Sequence, residues 1–267
     1  MHAFDYHRPA TLKQAASLLR KTAGAKLLAG GQTLIPVLKL RLARPAALID
    51  LSGIDELRAI RLEAATLTIG AMARHAEVAA SKDVMLGIPA LARLAAMIGD
   101  RQVRNLGTLG GSIANNDPAA DYPAAVLGLG ATVNTSKRAI AADRFFTGMY
   151  ETALKPGEII TSVSFPLPKR AAYVKFRNPA SRFAIVGVLA SEGGGQVRVA
   201  VTGAATCVFR ASEMEKKLAE KFSPDAIRGV RVPPEGLNSD IHASAEYRSH
   251  LVTVIAQRAV QAALAGK

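Results

Sequence analysis

Cysteine is almost absent from this chain of 267 residues, which contains only Cys207. A single thiol cannot form an internal disulfide, and an iron–sulfur cluster needs about four thiolates. The five histidines form no HExxH motif and have no CxxC partner, so the sequence indicates no zinc site. We therefore expect no metal on this chain, and any associated metal chemistry on another chain.

Tryptophan is absent, and aromatic residues make up only 5% of the chain. The sequence has 34 basic and 21 acidic residues, which gives a net charge of +13. A basic chain suggests nucleic acid, an acidic partner protein or an anionic cofactor. The basic residues are dispersed, and the sequence shows no stacking platform or helix-turn-helix pattern. We therefore predict no nucleic-acid binding and favour a basic surface that docks other subunits.

Long hydrophobic runs are also missing. None approaches the roughly 18 residues of a membrane span. The first nine residues, MHAFDYHRP, contain no apolar stretch of signal-peptide length. These features predict a cytoplasmic protein without a membrane span.

Helix and strand patterns are grouped along the chain and predict an α+β fold. The capping box Thr11–Gln14 opens a helix from Leu12 to about Lys21. Further helices are predicted at 75–80, 89–97, 117–127, 210–220 and 244–264, and strands at 26–29, 46–51, 57–62, 66–71, 131–135, 157–165, 173–177, 184–190 and 196–202. Residues 99–116 are predicted to be a loop, and the proline-rich 166–170 a domain joint.

Two glycine pairs are the most informative motifs: Ala29-Gly-Gly-Gln-Thr-Leu34 and Thr108-Leu-Gly-Gly-Ser112. Neither fits a Rossmann, P-loop or nucleophile-elbow pattern. Two glycine turns can each aim several N–H groups at one place and bind phosphate oxygens without a lysine. The pair therefore suits the diphosphate of a dinucleotide in a non-Rossmann fold. The alternative is two ordinary tight turns.

Five longer segments carry a family resemblance: residues 29–51, 98–133, 157–166, 173–188 and 239–260. Together they resemble the FAD-binding medium subunit of the molybdenum hydroxylases, the group that includes carbon monoxide dehydrogenase and xanthine dehydrogenase. The segment IGDRQVRNLGTLGGSIANNDPAADYPAAVLGLGATV is the most specific. The resemblance runs in order from about residue 3 to about residue 263.

The resemblance implies both a fold and an assembly. Residues 1–170 would form an FAD-binding domain of vanillyl-alcohol-oxidase (PCMH) type, with subdomains at about 1–55 and 56–170. Residues 171–267 would form a small α/β C-terminal domain. A molybdopterin large subunit and a small subunit with [2Fe–2S] clusters would complete the enzyme, as a dimer of heterotrimers.

The resemblance also implies site residues, which we carry over position by position. The two diphosphate loops would be Ala29, Gly30, Gly31, Gln32, Thr33 and Leu34, and Thr108, Leu109, Gly110, Gly111 and Ser112. Asp121 would bind cofactor hydroxyls, Ile98 would lie beside the cofactor, Ile160 near its adenine end, and Lys175 and Phe183 near the flavin ring. The competing interpretations are a solvent-facing acid at the start of a helix for Asp121, core packing for Ile98, Ile160 and Phe183, and a surface lysine for Lys175.

The function implied is that of an electron-transfer flavoprotein within a molybdenum-containing oxidoreductase of the carbon monoxide, xanthine or aldehyde dehydrogenase type. FAD would receive electrons from the clusters and pass them to an external acceptor. No catalytic residue is expected on this chain. Two alternatives stay open at this point: a self-contained FAD-dependent oxidase of the same fold, and a non-enzymatic basic binding protein.

Overall fold

Helices and strands alternate in small groups along the chain, which confirms the α+β prediction. The structure is a computed structural model that describes residues 1–266. Its helices are α1 Leu12–Lys21, α2 Leu34–Lys39, α3 His75–Ala80, α4 Lys82–Gly87, α5 Pro89–Ala96, α6 Arg101–Leu106, α7 Leu109–Asn115, α8 Tyr122–Gly128, α9 Ser212–Glu220 and α10 Ala245–Leu264. Its strands are β1 Asp5–His7, β2 Lys26–Leu28, β3 Ala47–Asp50, β4 Ile60–Glu63, β5 Thr66–Gly70, β6 Thr132–Thr135, β7 Ala139–Ala141, β8 Phe146–Gly148, β9 Glu151–Thr152, β10 Ile160–Pro166, β11 Arg170–Arg177, β12 Ala184–Gly193, β13 Gln196–Thr202 and β14 Phe209–Arg210.

In the part of the chain that the structure describes, the strands form three sheets and a short β8–β9 ribbon. The first is parallel, in the order β1-β3-β2, and its central strand β3 is buried along its whole length. Such a strand reads as a continuous apolar run because both of its faces are covered. The second is antiparallel, in the order β4-β5-β10-β6-β7, and the third is antiparallel, in the order β11-β12-β13-β14.

Within residues 1–266 the hydrophobic core consists of three clusters. One lies between the five-stranded sheet and helices α5 and α8, the second between the four-stranded sheet and α10, and the third beneath α1 and the parallel sheet. The first cluster also takes in Tyr173, Leu189, Ala200 and Val208, which follow the predicted joint at 166–170. The domain division at 170 stays a prediction, but the packing across it is continuous.

The predicted loop at 99–116 was wrong, because it contains α6 and α7. The side chain of Asp100 accepts a hydrogen bond from the N–H of Val103 at 2.8 Å and caps α6. Thr108 caps α7 by accepting from the N–H of Gly111 at 3.2 Å. These caps compensate for the low helix propensity of the glycines that suggested a loop.

Two other helix predictions differ from the structure. The helix predicted from 117 begins only at Tyr122, because Asp117 accepts the N–H of Ala119 and forms a turn instead. Helix α4 was missed, although Ser81 caps it by accepting from the N–H of Val84. Within residues 1–266, no helix is both long and apolar enough to cross a bilayer.

Candidate functional site

A cavity with a volume of about 970 Å³ lies where the end of β2, the start of α7 and the loop 178–183 meet. All of the predicted site residues except Leu109 and Lys175 line it. Leu109 is fully buried in the first core cluster, and Lys175 lies just behind the cavity wall. The fold thus gathers positions that are up to about 150 residues apart in sequence around one space.

The two glycine segments pack directly against each other. A β-carbon on Gly30 would overlap the carbonyl oxygen of Leu106 and would lie 2.7 Å from the α-carbon of Gly107. One on Gly111 would lie 3.2 Å from the β-carbon of Ala29. Only glycine allows backbones to approach this closely, so the glycines join the end of β2 to the start of α7.

The first glycine segment forms a turn with several successive free amides. Gly31 has a φ of +70°, and among residues 1–266 no protein acceptor receives the N–H groups of residues 30–33. The side chain of Gln32 donates to the carbonyl oxygen of Gly30 at 3.2 Å and braces the turn. Successive unpaired amides of this kind form a concavity suited to an anion.

The second glycine segment differs from the prediction, because it forms the start of a helix and the amides of residues 109–112 are already occupied. Leu109 and Gly110 donate to the carbonyl oxygens of Ala73 and Ala71 at 3.0 and 2.8 Å. The N–H of Gly111 donates to the hydroxyl oxygen of Thr108, and the N–H of Ser112 donates to the carbonyl oxygen of Thr108. The prediction that both segments aim their amides at one diphosphate is therefore wrong for residues 109–112 of the second. The hydroxyl-bearing residues that it brings to the cavity lining are Thr108 and Ser112.

Asp121 is buried at the cavity wall, which overturns its solvent-facing interpretation. Its Oδ2 pairs with the ammonium of Lys175 at 2.9 Å, and its Oδ1 accepts from the hydroxyl of Tyr173. Burial raises the pKa of Asp121, an effect that the charge of Lys175 opposes. The ammonium of Lys175 also donates to the carbonyl oxygen of Met97 at 3.0 Å. Lys175 is therefore no surface lysine, and its charge is directed at Asp121.

The three apolar positions of the prediction all line the cavity but differ in burial. Ile160 is 6% exposed at the start of β10, and Ile98 is half-buried after α5. Phe183 is 48% exposed, so it is not a core phenylalanine. Its ring stands at the cavity rim, where a planar ligand could pack against it.

His75 was missed by the sequence analysis, although it lines the same cavity. It is 5% exposed, its Nδ1 has no partner among residues 1–266, and its ring centroid lies 5.3 Å from that of Tyr122. Burial, with a smaller contribution from Arg104, lowers its pKa to about 4. No motif marks a single histidine at the start of an apolar helix, so the sequence offered no signal for it.

The residues present fit an FAD molecule. The cavity volume is at the upper end of the range usual for small-molecule and cofactor sites. The free amides of residues 30–33 suit phosphate oxygens, and the carboxylate of Asp121 suits hydroxyl donors. The lining is of mixed charge, because it contains Lys26 and Arg182 together with four acidic residues, Asp100, Asp117, Asp121 and Glu158.

Comparison with known proteins points to the same cofactor. Residues 2–168 match the family described as the FAD binding domain in molybdopterin dehydrogenase. The chain belongs to this family. The resemblance noted in the sequence is thereby confirmed, together with the fold class that it implies.

Relatives of this FAD-binding family match nearly the whole chain. The carbon monoxide dehydrogenase medium chain of Hydrogenophaga pseudoflava is 34% identical, over 98% of this chain and 97% of the relative. The nicotine 6-hydroxylase medium subunit of Paenarthrobacter nicotinovorans is 34% identical, over 97% of this chain and 96% of the relative. The crystal structure of quinoline 2-oxidoreductase from Pseudomonas putida 86 superposes with a TM-score of 0.90 at 32% identity, over 99% of this chain and 98% of that one.

Proposed function

We propose that this chain is the FAD-binding medium subunit of a heteromeric molybdenum hydroxylase and carries electrons from iron–sulfur clusters to an external acceptor. The observation that carries the proposal is the 970 Å³ cavity with the free amides of residues 30–33 on one wall and Asp121 on another, in a chain of this family. A cytoplasmic location remains our prediction.

The chain's own residues bind and orient the cofactor. The amides of residues 30–33 hold the diphosphate, and Asp121 accepts hydrogen bonds from cofactor hydroxyls. Ile98 and Phe183 provide apolar surface for the ring system. When bound, FAD supplies the redox chemistry, and the protein supplies position and electrostatics.

The partners in this proposal are a molybdopterin large subunit and a small subunit with [2Fe–2S] clusters, assembled as a dimer of heterotrimers. Two matched relatives are named as a medium chain and a medium subunit. The single cysteine supports this division of labour, because clusters held by about four thiolates need another chain. The net charge of +13 also suits docking against acidic protein surfaces.

The test is purification of the tagged full chain from its native host, with assays for FAD, iron and molybdenum. We expect one FAD per chain, and a larger and a smaller chain that bring molybdenum and iron with them. FAD on a chain that is isolated alone and oxidises an alcohol would instead indicate the self-contained oxidase. A colourless chain without FAD would refute both and favour the non-enzymatic binding protein.

Gly30→Ala tests the site within the same experiment. The added methyl group would push the backbone at residues 106–107 away from the turn. Over-packing of this kind costs about 1–3 kcal/mol of stability, and we expect at least tenfold weaker FAD binding by titration of the purified variant. The control is Gly229→Ala, whose β-carbon would meet no atom within 4 Å. Equal FAD affinity in Gly30→Ala and wild type would show that the turn at residues 30–33 does not contribute to FAD binding.

A further inference from the structure

Two neighbouring side chains of strand β11 hold the carboxylate of Asp121. Tyr173 and Lys175 are two positions apart, so their side chains leave the same face of the strand. One reaches Oδ1 and the other Oδ2. Asp121 immediately precedes α8, so the three residues join that helix to the four-stranded sheet at the back of the cavity.

Strand β12 leaves room for the phenol of Tyr173. Gly187 is the register partner of Lys175 on this strand. A β-carbon on Gly187 would overlap the hydroxyl oxygen of Tyr173 and lie 2.9 Å from its Cζ. The hydroxyl therefore rests against the backbone of Gly187, and its direction toward Asp121 is fixed by packing as well as by the hydrogen bond.

The direction of the hydrogen bond between the two residues follows from their burial. Tyr173 is 7% exposed, and burial together with the charge of Asp121 raises the pKa of its phenol well above the usual value. The phenol therefore stays protonated, and its hydroxyl donates a hydrogen bond to Oδ1 of Asp121. Each carboxylate oxygen can accept about two hydrogen bonds. One on each oxygen is taken by Tyr173 and Lys175, which leaves acceptor capacity that the cavity can use.

We propose that Tyr173 is a positioning residue for the cofactor: it fixes the rotation of the Asp121 carboxylate so that the remaining lone pairs meet the hydroxyls of bound FAD. This inference rests on the proposed function. Lys175 compensates the buried charge, whereas Tyr173 sets the orientation. Tyr173 itself does not line the cavity and acts through Asp121.

Tyr173→Phe tests the inference, because it keeps the ring and removes only the hydroxyl. The full-length apo-protein would be titrated with FAD by flavin fluorescence, and its melting temperature would be measured without FAD. We expect the Kd for FAD to rise about tenfold, near the lower end of the effect of losing a hydrogen bond to a charged group, because Tyr173 acts on the cofactor indirectly. Gly187→Ala should shift the Kd in the same direction, because the methyl group displaces the phenol.

The matched control is Tyr6→Phe. Tyr6 also donates its hydroxyl to an aspartate, Asp50, at 2.5 Å, but neither residue lines the cavity. We expect the Kd for FAD in this variant to stay within twofold of wild type. A lower melting temperature with an unchanged Kd in Tyr173→Phe would assign the hydroxyl a purely structural role and overturn the proposal.

A double-mutant cycle tests whether Tyr173 acts through Asp121. In an Asp121→Asn background, Tyr173→Phe should change the Kd less than twofold, because the oriented carboxylate is already gone. Full additivity of the two effects would overturn the proposal. Failure of the wild-type chain to bind FAD would refute the proposed function itself, whereas normal wild-type binding with an unaffected Tyr173→Phe variant would refute only this inference.

Discussion

At the residue scale, His75 shows how a cavity wall can contain a titratable group and keep it neutral. Its imidazole is buried on α3 beside Tyr122, and Arg104 disfavours a second positive charge nearby. Because the pKa of His75 is about 4 in the folded protein, its imidazole stays neutral there at pH values below 6.5 at which it is protonated in the unfolded chain. Stability must therefore fall as the pH drops through that window.

We predict that the free energy of unfolding falls by about 2 kcal/mol between pH 7.5 and pH 5 through His75 alone. Urea unfolding across this range should show the decline in the wild type. His75→Gln should flatten the decline by that amount, whatever its effect on stability at pH 7.5. His250→Gln, at an exposed position, is the control. An unchanged slope in His75→Gln would show that the imidazole is protonated in the folded state.

Much of the candidate site could be predicted at this scale because motif and family resemblance identify positions. The glycines at 30 and 31 and the acid at 121 all line the cavity. The contacts that hold these residues in place could not be predicted, because Tyr173 reaches Asp121 across 52 positions of sequence. The same holds for the second glycine segment, in which the amides of Leu109 and Gly110 are occupied by the distant Ala73 and Ala71.

At the element scale, the buried Glu158 forms a hydrogen-bond network just before β10, the strand whose first residue, Ile160, lines the cavity. Glu158 accepts hydrogen bonds from Arg138 at 2.9 Å, from the hydroxyl of Thr135 at 2.8 Å and from the N–H of Lys155 at 2.8 Å. The hydrogen bond from Arg138 is the main cause of a pKa lowered to about 2. The contribution of a carboxylate with a lowered pKa is present above pH 4.5 and is lost as the pH falls toward 2.

We predict that Glu158→Gln destabilises the protein at pH 7 on the order of 2 kcal/mol, with allowance for the partly exposed Arg138. The difference from wild type should shrink between pH 4.5 and pH 2.5, measured by urea unfolding. Glu213→Gln removes an exposed ion pair with Lys216 and should cost much less stability than Glu158→Gln. An equal loss in both variants would show that the Glu158 network contributes no more than a surface ion pair.

The elements that the sequence predicted well were those with a strong period or a cap. Helix α1 begins and ends where its capping box and apolar face place it, and α10 starts within one residue of the predicted position. Helices α6 and α7 were missed because glycine and asparagine were given more weight than the capping residues Asp100 and Thr108. The cost of the glycines is offset by close packing, since Gly110 lies against Ala71.

At the scale of the whole molecule, the first core cluster links the two predicted domains. Tyr173, Leu189, Ala200 and Val208 pack with the residues of the five-stranded sheet and of α8. The buried Asp121–Lys175 pair spans the same boundary. The domain boundary at 170 was predicted from the proline-rich segment 166–170. That segment alone could not show that apolar side chains from both predicted domains pack into one cluster. Separation of the two parts would expose that surface to water.

We therefore predict that residues 1–170 and 171–266 unfold in one cooperative transition. Cys207, the single cysteine, is half-buried and packs against the shared cluster, so its thiol reports on the C-terminal part. Denaturant midpoints from pulsed thiol labelling and from far-UV circular dichroism should coincide, as for a two-state protein. Labelling of Cys207 at a distinctly lower denaturant concentration would show that the C-terminal part opens first, and that the domain boundary is also an energetic one.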